Sequence, residues 1–194
     1  MAKALFIVDM LHDFVDEDGK LPVKDAKTLI GNIAELKGYA EKNGIPVIYA
    51  NDAHAKDDPE FQYWPPHAIK GTYGADIIGE LKYNKENIII EKQKLSAFTN
   101  PGLDGILGAY NVDEIYVTGV ATEYCVRGVT MDALDLGYKV NLVADAIAGV
   151  DEIRLPDNTQ VPKTKGAVAY ALMEMGAKGA RPIYTNDALE EMLK

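Results

Sequence analysis

The chain has 194 residues, 47% hydrophobic and 26% charged, with a formal net charge of −10. That length suits one domain over residues 1–194 with a sizeable core, and 30 acidic against 20 basic residues argues against nucleic acid as a partner. No apolar run approaches the roughly 18 residues of a membrane span, and Cys125, the only cysteine, allows no internal disulfide, so the expectation is a cytoplasmic protein with no membrane partner.

The N-terminal segment MAKALFIVDM has one lysine and a short apolar run ended by an aspartate, unlike a signal peptide. Within it, ALFIVDM (4–10) reads as a first strand. His12 follows as a loop residue. Leu29, Ile30, Ile33, Leu36 and Ala40 then recur at helical spacing, with Asp25 placed to cap that helix and Gly44 to end it. IPVIYAND (45–52), NIIIEK (87–92), EIYVTGV (114–120), KVNLVAD (139–145) and ARPIY (180–184) complete six strands. Their near-continuous apolar character is that of strands buried on both faces. After the fourth strand, Val126, Val129, Ala133 and Leu134 share a helical face and Gly137 follows as a stop. A further helix near 163–176 carries Val168, Leu172 and Met175. Two long irregular stretches, 53–73 and 150–162, remain. Alternating strands and helices predict an α/β fold of three layers, α/β/α, around a mostly parallel six-stranded sheet.

Ligands of open parallel sheets bind beyond the carboxyl ends of the strands. Asp9, Asp52 with His54, Lys92 and Cys125 all fall there. Thr122 is placed to cap the helix after strand four, which puts Cys125 in the first turn, where the dipole and free N–H groups favour a thiolate. A base such as Asp9 would assist. A carboxylate interrupting an apolar strand needs a cation or a thiol proton beside it. Either Lys92 or Lys94 could be that cation, because strand geometry gives both the same face. Asp52 and His54, spaced i, i+2, point the same way on an extended chain. With Glu60 and His67 they form a donor set suited to zinc, manganese or iron(II). The competing reading is two surface loop histidines.

The pieces VDMLHDFV around Asp9 and Phe14, DAH at 52–54 with WPPH and GTYG, KQKLSAF at 92–98 and GVATEYCV at 119–126 stand in order at successive strand ends. Together they resemble the isochorismatase-like cysteine hydrolases, and within them the nicotinamidases. The resemblance implies an amide hydrolase acting on a small pyridine carboxamide, with Asp9, Lys92 and Cys125 as the catalytic group; its pattern selects Lys92 over Lys94. It implies an oxyanion hole from the N–H groups of Ala121 and Cys125, with a cis peptide before Ala121. It implies one divalent metal ion, zinc above all, held by Asp52, His54 and His67 with Glu60 direct or through water, and bound by the substrate's ring nitrogen. It further implies Phe14 and Trp64 against the ring, contacts from Ala121 and Tyr124, and a homo-oligomer. Another amidase of the superfamily, acting on a carbamoyl or ureido substrate, is the alternative.

Overall fold

The computed structural model describes residues 2–150, 166–192 and 194. Six strands form one sheet: β1 (Ala2–Val8), β2 (Val47–Asp52), β3 (Ile88–Lys92), β4 (Val112–Val120), β5 (Lys139–Ala148) and β6 (Arg181–Ile183). The order is β3-β2-β1-β4-β5-β6. Every pairing is parallel, where the sequence led us to expect only a mostly parallel sheet.

The helices are α1 (His12–Val15), α2 (Ile30–Lys42), α3 (Gly102–Ala109), α4 (Arg127–Asp135), α5 (Ala167–Lys178) and α6 (Thr185–Met192). They cover both faces because the strands alternate. Leu5 and Ile7 of β1 pack with Ile33 and Leu36 of α2 and Met192 of α6. Phe6 and Val8 point the other way, into the layer of Leu103, Val129 and Met175 from α3, α4 and α5. Both sets are fully or almost fully buried. No helix among the described residues is long and apolar enough to cross a membrane.

Local details depart from the expectations. Asp25 precedes a short 3-10 turn (Ala26–Leu29) in a left-handed conformation, φ 64°, and its side chain caps nothing. Gly44 does end α2, with φ 67°. His12 opens α1 instead of lying in a loop, bonded to Asp16 and stacked on Tyr73. The inward face of α5 is Ala167, Ala171 and Met175; Leu172 is 38% exposed. The irregular stretch 150–162 and the start of the helix expected near 163 lie, apart from Val150, outside the described residues.

The connection from β3 to β4 crosses over β2 and β1, so the strand order reverses between β1 and β4. Ligands of doubly wound sheets bind at the carboxyl ends where that reversal occurs. There Val8 pairs with Gly119; Asp9 follows Val8 directly, and Cys125 stands in the turn just beyond β4.

Candidate active site

Asp9 lies one residue beyond β1, with φ 50°. The left-handed turn is held by the Leu11 N–H donating to the Asp9 carbonyl at 2.8 Å, and it turns the chain out of the sheet. On the neighbouring strands, Asp52 and Lys92 are partners in register at the last positions of β2 and β3. The three side chains meet under the rim. Lys92 Nζ donates to Asp9 Oδ2 at 2.8 Å and to Asp52 Oδ1 at 2.5 Å, and lies 3.3 Å from Cys125 Sγ. The Asp52 N–H donates to Asp9 Oδ1 at 2.7 Å. Strand β3 ends at Lys92, so Lys94 no longer follows strand alternation, and it is exposed.

Cys125 approaches from β4. The Val120–Ala121 peptide is cis, and a π-helical turn, Thr122–Val126, leads into α4. The expected Thr122 cap is not formed: Ala121 holds the cap position, and the Thr122 hydroxyl is buried without a partner among the described residues. Cys125 nonetheless falls within the first turns of the helix, 8% exposed.

Burial sets the protonation states. Asp9 is pushed up to about 6, first by burial and then by the Asp52 charge, against the pull of Lys92. Burial acts on Asp52 too, but the Lys92 charge outweighs it and holds the group down at about 2. Lys92, desolvated yet flanked by two carboxylates, stays well above its ordinary value. The Cys125 thiol is also pushed well up, by burial and by the Asp9 and Asp52 charges, with Lys92 opposing. This corrects the expectation of a thiolate favoured by the helix start. Two buried carboxylates and desolvation outweigh the dipole, so the resting group is a thiol beside an ionised acid.

A second cluster adjoins the first. Donor atoms of Asp52, His54 and His67, all buried, lie within 4.8 Å of one another. His54 Nδ1 is 2.9 Å from Asp58 Oδ2, and His67 Nδ1 is 2.8 Å from the Pro65 carbonyl. With both Nδ1 atoms engaged, the Nε2 atoms remain as donors. His54 Nε2 is buried with no hydrogen-bond partner among the described residues, and lies 3.7 Å from Asp52 Oδ2. An orphaned imidazole nitrogen, a second imidazole and a carboxylate within one ion's reach fit a zinc-like cation. Burial pulls His54 down, but the flanking Asp52 and Asp58 raise it to about 9. Burial keeps His67 low. Glu60 groups with His54 and Asp58, outside the triad of Asp52, His54 and His67.

Both clusters open into one cavity of about 250 Å³. Asp9, Asp52, Glu60, His67 and Cys125 stand among its polar lining residues, with Lys20, and Phe14, Trp64, Ala121 and Tyr124 among its apolar walls. Trp64 and Tyr124 meet edge to face at 5.4 Å, and Phe14 meets the His67 ring at 5.5 Å. The structure thus gathers every residue singled out in the sequence except Lys94; His54 and Lys92 sit just behind the wall.

Sequence reasoning passed over two carboxylates. Asp13 accepts the Ala68 N–H at 2.8 Å and the Lys20 N–H at 3.3 Å, tying three wall segments together. A side chain on Gly74 would collide with that carboxylate, which accounts for the last glycine of GTYG. Asp58 holds His54 and caps the Pro59–Gln62 turn. The dipeptide Asp58–Pro59 is a helix-start signal and could have pointed to it; nothing local marks Asp13.

Residues 3–187 match the isochorismatase domain. The chain is 30% identical to the nicotinamidase of Escherichia coli strain K12, with 97% of each chain covered. Among solved structures it resembles the pyrazinamidase of Pyrococcus horikoshii in complex with zinc, at 29% identity and TM-score 0.82, covering 95% of this chain and 99% of that one. It also resembles the N-carbamoylsarcosine amidase of Thermoplasma acidophilum, at 29% identity and TM-score 0.79, covering 96% and 98%. The fold and these matches define the class: the chain belongs to the isochorismatase family.

Proposed function

We propose that this protein is a metal-dependent amidohydrolase that converts nicotinamide to nicotinic acid and ammonia, in the salvage of pyridine nucleotides, as a cytoplasmic homo-oligomer. One observation carries the reading: the cluster of Asp9, Lys92 and Cys125 and the adjoining donors of Asp52, His54 and His67 open into one cavity, which Asp9, Cys125, Asp52 and His67 line. The similarity to a nicotinamidase and to a zinc-bound pyrazinamidase supports it.

In this reading Asp9 takes the Cys125 proton as the sulfur attacks the carboxamide carbon. The C–S bond forms and the carbonyl π electrons move to oxygen. N–H groups of Ala121 and Cys125 receive that charge; one such donor is typically worth about 10²–10³ in rate. When the tetrahedral adduct collapses, Asp9 returns the proton to the leaving nitrogen and ammonia departs. Asp9 then deprotonates a water that attacks the thioester. Collapse expels the sulfur, which regains a proton, and releases the carboxylic acid. Lys92 keeps Asp9 ionised enough to act, against the burial that raises it. Phe14, Trp64 and Tyr124 provide flat apolar surface for a ring. A divalent ion held by Asp52, His54 and His67, with Glu60 nearby, would supply an electron-pair acceptor for a pyridine nitrogen.

A second reading, an amidase for a carbamoyl or ureido substrate, draws on the N-carbamoylsarcosine amidase, which this chain resembles at a similar identity. Ammonia release from nicotinamide, benzamide and N-carbamoylsarcosine separates the two. Nicotinamide should be hydrolysed far faster than benzamide, which lacks the ring nitrogen. Faster turnover of the carbamoyl compound would overturn the nicotinamide assignment.

A further inference from the structure

We infer that Asp58 is a positioning residue of the metal centre, fixing the His54 ring so that Nε2 faces the ion. The inference rests on the metal-dependent reading above. Its geometry is local. Asp58 Oδ2 lies 2.9 Å from His54 Nδ1, with only 1% of the His54 side chain and 8% of the Asp58 side chain exposed. The other oxygen, Oδ1, accepts the Glu60 N–H at 2.9 Å. One carboxylate therefore sets the orientation of a candidate ligand and caps the turn bearing another.

The chemistry follows from which groups can donate. A neutral histidine ligates through Nε2 only when its proton sits on Nδ1. An ionised carboxylate can only accept, so Asp58 enforces that tautomer and makes the imidazole a better donor. His67 gets the same service from the Pro65 backbone carbonyl, which no side-chain change removes. Asp58 is thus the replaceable half of the support. Phe61, on the turn that Asp58 caps, packs its ring 5.5 Å from His54 and 5.7 Å from His67.

Zinc affinity measured by competition with a chromophoric chelator tests this in the full chain, without substrate. Asp58→Asn keeps the shape and one oxygen but can offer Nδ1 an N–H, which favours the wrong tautomer. Asp58→Ser keeps a good cap and withdraws the partner of His54. Asp57→Asn, one residue away on an exposed side chain, controls for loss of charge alone. Zinc binding should weaken about 10–100-fold in both Asp58 variants. It should stay near wild type in Asp57→Asn, and the metal-free melting temperature of Asp58→Ser should hardly move. Wild-type-like affinity in both Asp58 variants, or an equal loss in Asp57→Asn, would overturn the inference. So would a wild-type chain that binds no zinc. A chain that binds zinc and weakens as described, yet does not hydrolyse nicotinamide, upholds the role of Asp58 and removes only the substrate assignment.

Discussion

Lys92 Nζ lies 2.8 Å from Asp9 Oδ2 with both side chains buried, although 83 residues separate them in the chain. Lys92 is also the shared cation of Asp52. Removing it leaves two buried carboxylates facing each other, and breaking a buried pair in this way costs about 3–5 kcal/mol. Asp9 would then rise further and hold its proton at neutral pH. Lys92→Ala should lose on the order of 10²-fold or more in kcat/KM. Lys94→Ala, at an exposed position, should stay near wild type. Ammonia-release kinetics on the two variants decide it, and the reverse ranking would remove Lys92 from the mechanism.

The acid limb of the pH profile should belong to Asp9. Only the ionised carboxylate can accept the Cys125 proton. Asp9 sits at about 6, so lowering the pH through that value protonates it and the rate falls, about tenfold per unit well below. Asp52, held at about 2, stays ionised throughout and contributes nothing in that window. The limb in kcat/KM is therefore expected near pH 6, read as an apparent value of the coupled cluster. A limb near 4, the ordinary carboxylate value, would show that burial does not perturb the base.

How much of this was legible in the sequence differs by element. The strands were, because Leu5, Ile7, Phe6 and Val8 serve two cores at once and a strand buried on both faces reads as an unbroken apolar run. Asp9 and Asp52 were visible as polar residues where such runs stop, and Cys125 as the lone cysteine shortly after the fourth run. The choice between Lys92 and Lys94 was not visible from alternation, because it depends on β3 ending at Lys92, and only the resemblance separated them. The Cys125 protonation state was hidden too: the helix start is local, whereas burial and the charges of Asp9, Asp52 and Lys92 come from the ends of three other strands. Asp13 acts through the backbone N–H groups of Lys20 and Ala68, partners that sequence periodicity does not report.

Glycine at 119 should be indispensable. Its φ is 104°, and a Cβ there would strike the backbone of Val8 on the paired strand. The left-handed conformation alone costs a non-glycine residue roughly 1–2 kcal/mol, and the backbone collision adds to it. Gly119→Ala should exceed the usual ~0.5–3 kcal/mol of a point mutant and move Asp9 away from Cys125. Gly38 is the contrast: it lies on the exposed face of α2, and no neighbouring atom comes within 4 Å of the place a methyl group would take. Gly38→Ala should stabilise by about 0.4–1 kcal/mol. Urea denaturation of both variants checks the pair, and a mild Gly119→Ala would mean the two strands can separate at little cost.

Asp9 acts on Cys125 in two opposed ways, and one variant separates them. In the proposed reaction it is the base that receives the thiol proton during attack. As a charge it raises the thiol's pKa, alongside burial, whereas Lys92 lowers it. Asp9→Asn removes the base and the negative charge together while leaving the shape of the site. Turnover should then fall by about 10²–10⁴-fold. Lys92, freed of one carboxylate, should meanwhile favour the thiolate more than in wild type, so Cys125 ionises at a lower pH. Because Cys125 is the only cysteine in the chain, iodoacetamide labelling followed by intact mass reads that thiolate without interference. Alkylation at neutral pH is expected to be faster in Asp9→Asn than in wild type while ammonia release nearly vanishes. Labelling and turnover falling together would mean that Asp9 already holds the thiol proton in the resting site, and the dominance of its charge over its basicity in the free enzyme would have to be given up.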